Sequence, residues 1–174
     1  KLWDPATKQV TKELRPGSGR RAATGVAFSP DGRQLAITRD DGANIWNLSS
    51  ERKVAIPEPV HCMAYSPDGK ILAVATEAGA ITLWDTTTRY KLRVLQGAST
   101  WIRSLAFSQP DGSRLASGSD DQMITLWDVT MGEPTTRLKG HGAYVLSILF
   151  FPDGSRSAAC GKSTSPLPPT RKTG

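Results

Sequence analysis

Short apolar runs alternating with polar residues recur along the chain, and clusters of Pro, Asp, Gly and Ser separate them. The clearest unit is Gly112 to Asp128. A turn glycine opens it, an apolar run follows, Asp120-Asp121 reverses the chain, and an alternating run closes on Trp127-Asp128. That is the pattern of a β-hairpin. Asp40-Asp41-Gly42 between two such runs carries the same signal, because glycine accepts the positive φ the turn requires.

Strands are predicted at Lys1–Asp4, Gln9–Leu14, Thr24–Phe28, Gln34–Thr38, Asn44–Trp46, Lys53–Ile56, Val60–Tyr65, Ile71–Thr76, Ala80–Trp84 and Tyr90–Leu95. Further strands are predicted at Ile102–Phe107, Arg114–Ser119, Met123–Trp127, Thr135–Leu138, Val145–Phe150 and Arg156–Ala159. Runs such as Val145–Phe150 are nearly apolar throughout, which fits strands packed on both faces.

Two markers keep one beat. Trp3, Trp46, Trp84 and Trp127 close successive units and stand 43, 38 and 43 positions apart. Ser29-Pro30-Asp31-Gly32 recurs as Ser66-Pro67-Asp68-Gly69, Gln109-Pro110-Asp111-Gly112 and Phe151-Pro152-Asp153-Gly154 in the same phase.

A period near forty with Trp-Asp endings and a Gly140-His141 dipeptide resembles the WD40 repeat family, whose propeller blades have four strands each. Within that family the chain resembles the repeat arrays of fungal signalling NTPases. The resemblance implies an all-β fold: a partial β-propeller over residues 1–161, with a disordered, proline-rich tail at 162–174. Complete four-stranded blades are expected at 22–57, 58–96 and 98–139, and partial ones at 1–14 and 141–161. Lys1 falls inside a third strand, so the chain is expected to be a segment of a longer array.

In family members that have it, a hydrogen-bonded tetrad joins the His of Gly-His, a Ser or Thr of the second strand, an Asp of the following turn, and the Trp. No unit here holds all four. The fourth has Ser117, Asp121 and Trp127 but Ala98 at the histidine position, and the fifth has His141 but Ala159 at the serine position. The third has Val74 and Ala78 in place of Ser and Asp, and the second has Asp41 and Trp46 in a shorter segment. Cohesion is therefore expected from apolar packing, with Trp3, Trp46, Trp84 and Trp127 each filling a blade core.

The formal net charge of +6 raises the question of nucleic acid. Much of the excess sits near the two ends, and no basic stripe interleaves with stacking aromatics, so nucleic-acid binding is disfavoured. Cys62 and Cys160 offer no disulfide framework, which favours a reducing cytoplasmic setting, the nucleus being an alternative. No run reaches the length of a membrane helix.

Catalytic material is scarce. Two histidines and two cysteines show neither metal-ligand spacing nor a nucleophile with its base. The paired carboxylates Asp40-Asp41 and Asp120-Asp121 are explained by their turns. Residues 156–163 imitate a phosphate-binding loop, but Arg156 replaces its first glycine and prolines replace its helix. The chain reads as no enzyme, with no cofactor and no metal.

Recognition remains. Trp101 is the one tryptophan outside the Trp-Asp position, and Tyr144 shares its phase, each six residues before the strand's terminal Phe107 or Phe150. In related propellers, among them G-protein beta subunits, an aromatic here lies on the top face and contacts partners. Pro59 and Ala22 hold the phase without the aromatic, and Glu77, Asp40 and Asp120 are expected to rim the same face. The leading expectation is a non-catalytic scaffold that offers these residues to a peptide or protein, as aromatic anchors beside charges do. The alternative for Trp101 and Tyr144 is that they cover the seam between blades. Two other readings of the whole chain stay open: ring closure by homodimerisation, and the sensor end of a larger signalling NTPase.

Overall fold

Both sequence markers turn out to be hydrogen-bonded turns. The computed structural model describes residues 1–14, 23–39, 42–76, 78–96 and 100–161. After each Trp, an Asp or Asn caps the next bend. Asp4 Oδ1 accepts from the amides of Ala6 (2.8 Å) and Thr7 (3.2 Å), and Asn47 Oδ1 from those of Ser49 (3.0 Å) and Ser50 (2.8 Å). Asp85 Oδ1 accepts from Thr87 (2.8 Å) and Thr88 (2.6 Å), and Asp128 Oδ1 from Met131 (2.7 Å). The backbone then passes through the left-handed region at Lys8, Glu51, Arg89 and Gly132, with φ of 58°, 57°, 66° and 79°.

In the second marker, the buried Ser29 donates to Asp31 Oδ1 (2.6 Å) and accepts from the Gln34 amide (2.9 Å). Ser66 repeats this with Asp68 (2.6 Å) and Ile71 (2.9 Å), and Ser108 with Asp111 (3.3 Å) and Arg114 (3.0 Å) in spite of the extra Gln109. The two kinds of turn then bond to each other, through Leu48 N to Arg33 O, Thr86 N to Lys70 O and Val129 N to Ser113 O. One end of each four-stranded sheet is thereby fixed.

Between these turns run antiparallel hairpins. A two-stranded sheet pairs β1 (Leu2–Asp4) with β2 (Gln9–Lys12). Three four-stranded sheets follow: β3 (Ala23–Phe28), β4 (Gln34–Arg39), β5 (Gly42–Asn47) and β6 (Lys53–Ile56); then β7 (Val60–Tyr65), β8 (Ile71–Thr76), β9 (Ile81–Asp85) and β10 (Lys91–Leu95); then β11 (Ile102–Phe107), β12 (Arg114–Ser119), β13 (Ile124–Asp128) and β14 (Pro134–Leu138). A second two-stranded sheet pairs β15 (Val145–Phe150) with β16 (Ser157–Gly161). In each sheet the order follows the sequence, and the described residues contain no helix.

The sheets stack through their first strands, β3 on β7, β7 on β11 and β11 on β15. Each gap holds its own core. Ala36, Ile45 and Ile56 meet Val60, Leu72 and Val74 in the first; Ala73, Ala75 and Leu83 meet Ile102, Leu105, Leu115 and Trp127 in the second. Ala116 and Ile124 meet Val145 and Ile148 in the third, where Gly118 is required: a Cβ there would lie 2.5 Å from Val145 Cγ1.

Several expectations need correction. Trp127 is fully buried at 0% exposure, Trp46 and Trp84 are half-buried, and Trp3 is 62% exposed. Trp84 and Trp127 pack into cores shared with the sheet before their own, whereas no described sheet covers Trp3. β3 likewise leaves Val26 and Phe28 exposed, and β15 leaves Leu146 and Leu149 exposed, so among the described residues these strands are packed on one side only. The imitation phosphate loop is strand β16 over most of its length. Asp40, Asp41, Glu77, Ala98, residues 15–22 and the tail at 162–174 lie outside the described residues.

Candidate functional site

Since both turn markers sit at one end of the sheets, the other end carries the β12–β13 hairpin turn and the loops that lead into β7, β11 and β15. There the chain places Trp101, Asp120, Tyr144 and Pro59 together with two residues that sequence reasoning passed over, His61 and Arg103.

Trp101, just before β11, is 43% exposed and stacks on His61 of β7, with ring centroids 4.4 Å apart and planes at 28°. Its carbonyl accepts the Asp120 amide at 3.0 Å, which ties the β12–β13 turn to the start of β11. Arg103, two residues on, carries its guanidinium 5.1 Å from the Trp101 ring centroid. The same guanidinium grips Asp120 with two bonds, Nε to Oδ1 at 2.7 Å and Nη2 to Oδ2 at 2.8 Å.

The hydrogen bond to Asp120 raises the Arg103 pKa above its ordinary value, and the nearby charge of Asp120 and the Tyr144 phenol add to this. Tyr144 is 48% exposed at the start of the next sheet. Pro59 is exposed in the segment entering β7. Asp120 is therefore an ion-paired brace for Trp101 and not a free acidic rim. An exposed pair of this kind adds little stability, but its two-point geometry fixes the side chains.

The tetrad residues behave separately. Trp127 Nε1 donates to Ser117 Oγ at 2.9 Å, deep in the fourth sheet. Asp121 takes no part in that bond. It is exposed, bonded to Ser119 Oγ, and accepts the Met123 amide at 2.9 Å as a turn cap. His141 is half-buried in the loop before β15, which carries Ala159 on its partner strand. In the third sheet, with Val74 at the serine position, Trp84 Nε1 turns to Thr82 Oγ1 at 3.0 Å.

A shallow cavity of about 390 Å³ opens at the opposite end, between the turns at Ser108–Arg114 and Asp153–Ser155. Its carboxylates are occupied: Asp111 caps Ser113 (3.0 Å) and Asp153 caps Ser155 (2.9 Å), so the cavity is turn architecture. Cys62 is a core thiol. Burial pushes its pKa up to about 12, and it donates to Ile102 O at 3.5 Å. Among the described residues no three of His, Cys, Asp and Glu are grouped to hold a metal ion.

Four-stranded antiparallel sheets, ordered along the chain and stacked through their innermost strands, define an open segment of a β-propeller. The chain belongs to the WD40 repeat family: residues 26–109 match the anaphase-promoting complex subunit 4 WD40 domain, and residues 132–165 match the WD domain, G-beta repeat. No curated protein matches it. Among solved structures it is similar to U3-55K and to the WD40 repeats of RRP9, each at 26% identity and a TM-score of 0.71 over 76% of this chain. It spans 44% and 43% of those two chains, less than half of either. The same architecture is matched by 1372 solved chains, so fold alone does not select a partner.

Proposed function

We propose that this WD40 segment is a non-catalytic scaffold that receives a peptide or protein segment on the loop end of its sheets, with Trp101 and Tyr144 as anchors. WD40 domains generally bind protein partners, and the finer assignment rests on one observation: Trp101 is half-exposed yet held by two neighbours, the stacked His61 ring and the Arg103 guanidinium that Asp120 fixes. A tryptophan that only sealed a seam has no need of such bracing. A rigid aromatic contributes contact area at little entropic cost, which is why such residues dominate binding hot spots.

Peptides selected against the chain from a random library, and titrated by fluorescence anisotropy, test this. Trp101→Ala is expected to weaken them by about 30-fold, the loss of roughly 2 kcal/mol typical of a hot spot, with little change in melting temperature. Unchanged affinity with a lowered melting temperature overturns the assignment and makes Trp101 a seam residue.

A further inference from the structure

Among the described residues β2, β6, β10 and β14 each end a sheet, with no strand paired beyond them. Short strands and proline keep such edges from accepting another chain. β2 and β6 are four residues long, and β14 opens on Pro134, which has no N–H to offer. β10 has neither device. It is five residues long, Leu92 and Val94 within it are exposed, and the exposed Tyr90 precedes it.

A bulge sets β10 apart in a second way. In β2, β10 and β14 one extra residue stands between successive partners on the neighbouring strand: Thr11, Leu92 and Thr135. Thr11 Oγ1 donates to Leu2 O at 3.3 Å and Thr135 Oγ1 to Leu126 O at 3.1 Å, so each side chain turns back onto its own sheet. Leucine has no hydroxyl for that bond, and Leu92 stands in solvent. Beyond the bulge the two faces of β10 differ. Val94 pairs with Thr82, on the face where Lys91 lies 5.3 Å over the Trp84 ring. Arg93 pairs with Leu83 on the other face and donates to Met131 O of the fourth sheet at 2.9 Å.

We propose that the free edge of β10 takes an extended acidic segment of a partner protein as a further strand, its apolar residues beside Leu92 and Val94 and its carboxylates beside Arg89 and Arg93. Strand addition of this kind draws affinity from main-chain hydrogen bonds and specificity from alternate side chains. Charge selects the occupant. Residues 89–95 hold three bases and no acid. Glu58 matches Lys91 at 2.5 Å, but the bond from Arg93 goes to a neutral carbonyl that does not cancel its charge, and Arg89 is exposed. A second copy is therefore a poor occupant, because β10 laid on β10 brings these bases together, whereas opposite charges across a strand pair are favourable. The ties from Lys91 to Glu58 and from Arg93 to Met131 hold β10 in place beforehand, which limits the ordering cost of binding.

The test uses the full 174-residue chain and a fluorescent peptide of about eight alternating Glu and Val residues, long enough to cover β10. Anisotropy is expected to show binding that Leu92→Thr weakens about tenfold, through loss of the leucine contact. The melting temperature of that variant should not fall, since threonine regains the bond that Thr11 and Thr135 make. Amide exchange within residues 89–95 is expected to slow when the peptide is added, while that within 134–138 stays as it was. The matching Lys–Val peptide and a fully N-methylated Glu–Val peptide should not bind. No binding by the parent chain, equal affinity for Leu92→Thr, or equal binding of either control peptide overturns the proposal. So does displacement by an oligouridylate as readily as by unlabelled peptide, which would make β10 a seat for any polyanion. Trp101→Ala is expected to leave this affinity unchanged. If that variant weakens the peptide and Leu92→Thr does not, the peptide sits at the loop end, and the β10 site falls while the partner face stands.

Discussion

Ser117 is the sharpest place to test how these sheets are held together. Trp127 is buried at 0% exposure and its indole N–H has one acceptor in the structure, Ser117 Oγ at 2.9 Å. Leaving a buried donor without a partner costs about 1–3 kcal/mol. The third sheet shows how that cost is avoided: Val74 stands where Ser117 does, and Trp84 donates instead to Thr82, two residues back on its own strand. Thr125 is two residues back from Trp127 and is also buried. Ser117→Ala therefore leaves a second acceptor in reach, and its cost falls at the low end, about 1 kcal/mol.

Thr125→Val alone removes only an unused reserve, about 0.5 kcal/mol, whereas Ser117→Ala/Thr125→Val strands the indole and costs about 3 kcal/mol. The coupling is about 1.5 kcal/mol, well above the scatter of additive pairs. In a protein of this size each kcal/mol moves the melting temperature by about 2–4 °C, so the single serine variant loses about 3 °C and the double about 9 °C. Urea titration of the four proteins gives the cycle directly. Strict additivity, or a single variant as damaging as the double, refutes the fallback acceptor and with it the claim that the third and fourth sheets solve one problem in two ways.

Two further predictions concern the turns. Hydrogen bonds from Ser29 and Ser66 hold the Asp31 and Asp68 carboxyls below the usual range, and the Ser113 amide does the same for Asp111. Groups with depressed folded-state pKa values give stability that is present above the unfolded value near 4 and is lost as pH falls through the folded one. The urea midpoint should stay level from neutral pH to about pH 5 and fall below about pH 4, and the difference between an Asp68→Asn variant and the parent should be full at pH 7 and shrink progressively as pH falls below about 4; a difference that does not shrink contradicts the capping role. Arg89 occupies a left-handed position, where its fourth-sheet counterpart is Gly132. Arg89→Gly should raise the unfolding free energy by up to about 1 kcal/mol and Gly132→Ala should lower it by at least that much, since an added Cβ also strikes the Arg93 side chain; the same sign for both substitutions rules out strain at this position.

The strands were legible because each sheet is closed by local chemistry. Asp-Gly turns, Ser-Pro-Asp-Gly turns and Trp-Asp endings act within a few residues, and the predicted strand limits agree with the structure to within about two residues at almost every end, a margin at which assignment itself is uncertain. Gln9–Leu14 ran long: among the described residues the β1–β2 ladder ends at Leu2 opposite Lys12. The role of the Asp in Trp-Asp was also written locally, in the recurrence of Lys8, Glu51, Arg89 and Gly132 four residues later, but it shows only once the left-handed φ is seen. The aromatic cluster was legible in half. Phase along the repeat picked out Trp101 and Tyr144, whereas His61 reaches Trp101 from a strand forty positions away, and Arg103 reads from sequence as one exposed base among many. Contacts between sheets depend on how the sheets stack, which no local pattern encodes. Exposure of Trp3 belongs to the same class, since it depends on what faces the strand and not on the strand.

The scattered tetrad residues connect stability to recognition. Where a complete tetrad reaches from core tryptophan to a histidine and a turn aspartate, it ties the loop end of a blade to its middle. Here the fourth sheet keeps only the Trp127–Ser117 bond, the third substitutes Thr82, and the buried Trp46 indole N–H in the second has no partner among the described residues. The strand alongside covers each indole. Lys53 and Lys91 lie over Trp46 and Trp84 at 5.7 Å and 5.3 Å, and Pro134 pairs with the fully buried Trp127. At the turn end, among the described residues, Ser, Asp and left-handed bends recur sheet after sheet. Around Trp101 the loop end is held by His61, Arg103 and Asp120, which join the third sheet to the fourth and the β12–β13 turn to β11. If the face around Trp101 receives a partner as proposed, Arg103→Lys, which keeps the charge but not the two-point grip on Asp120, should weaken library-peptide binding by more than it lowers the melting temperature, and the reverse order would make the pair purely structural.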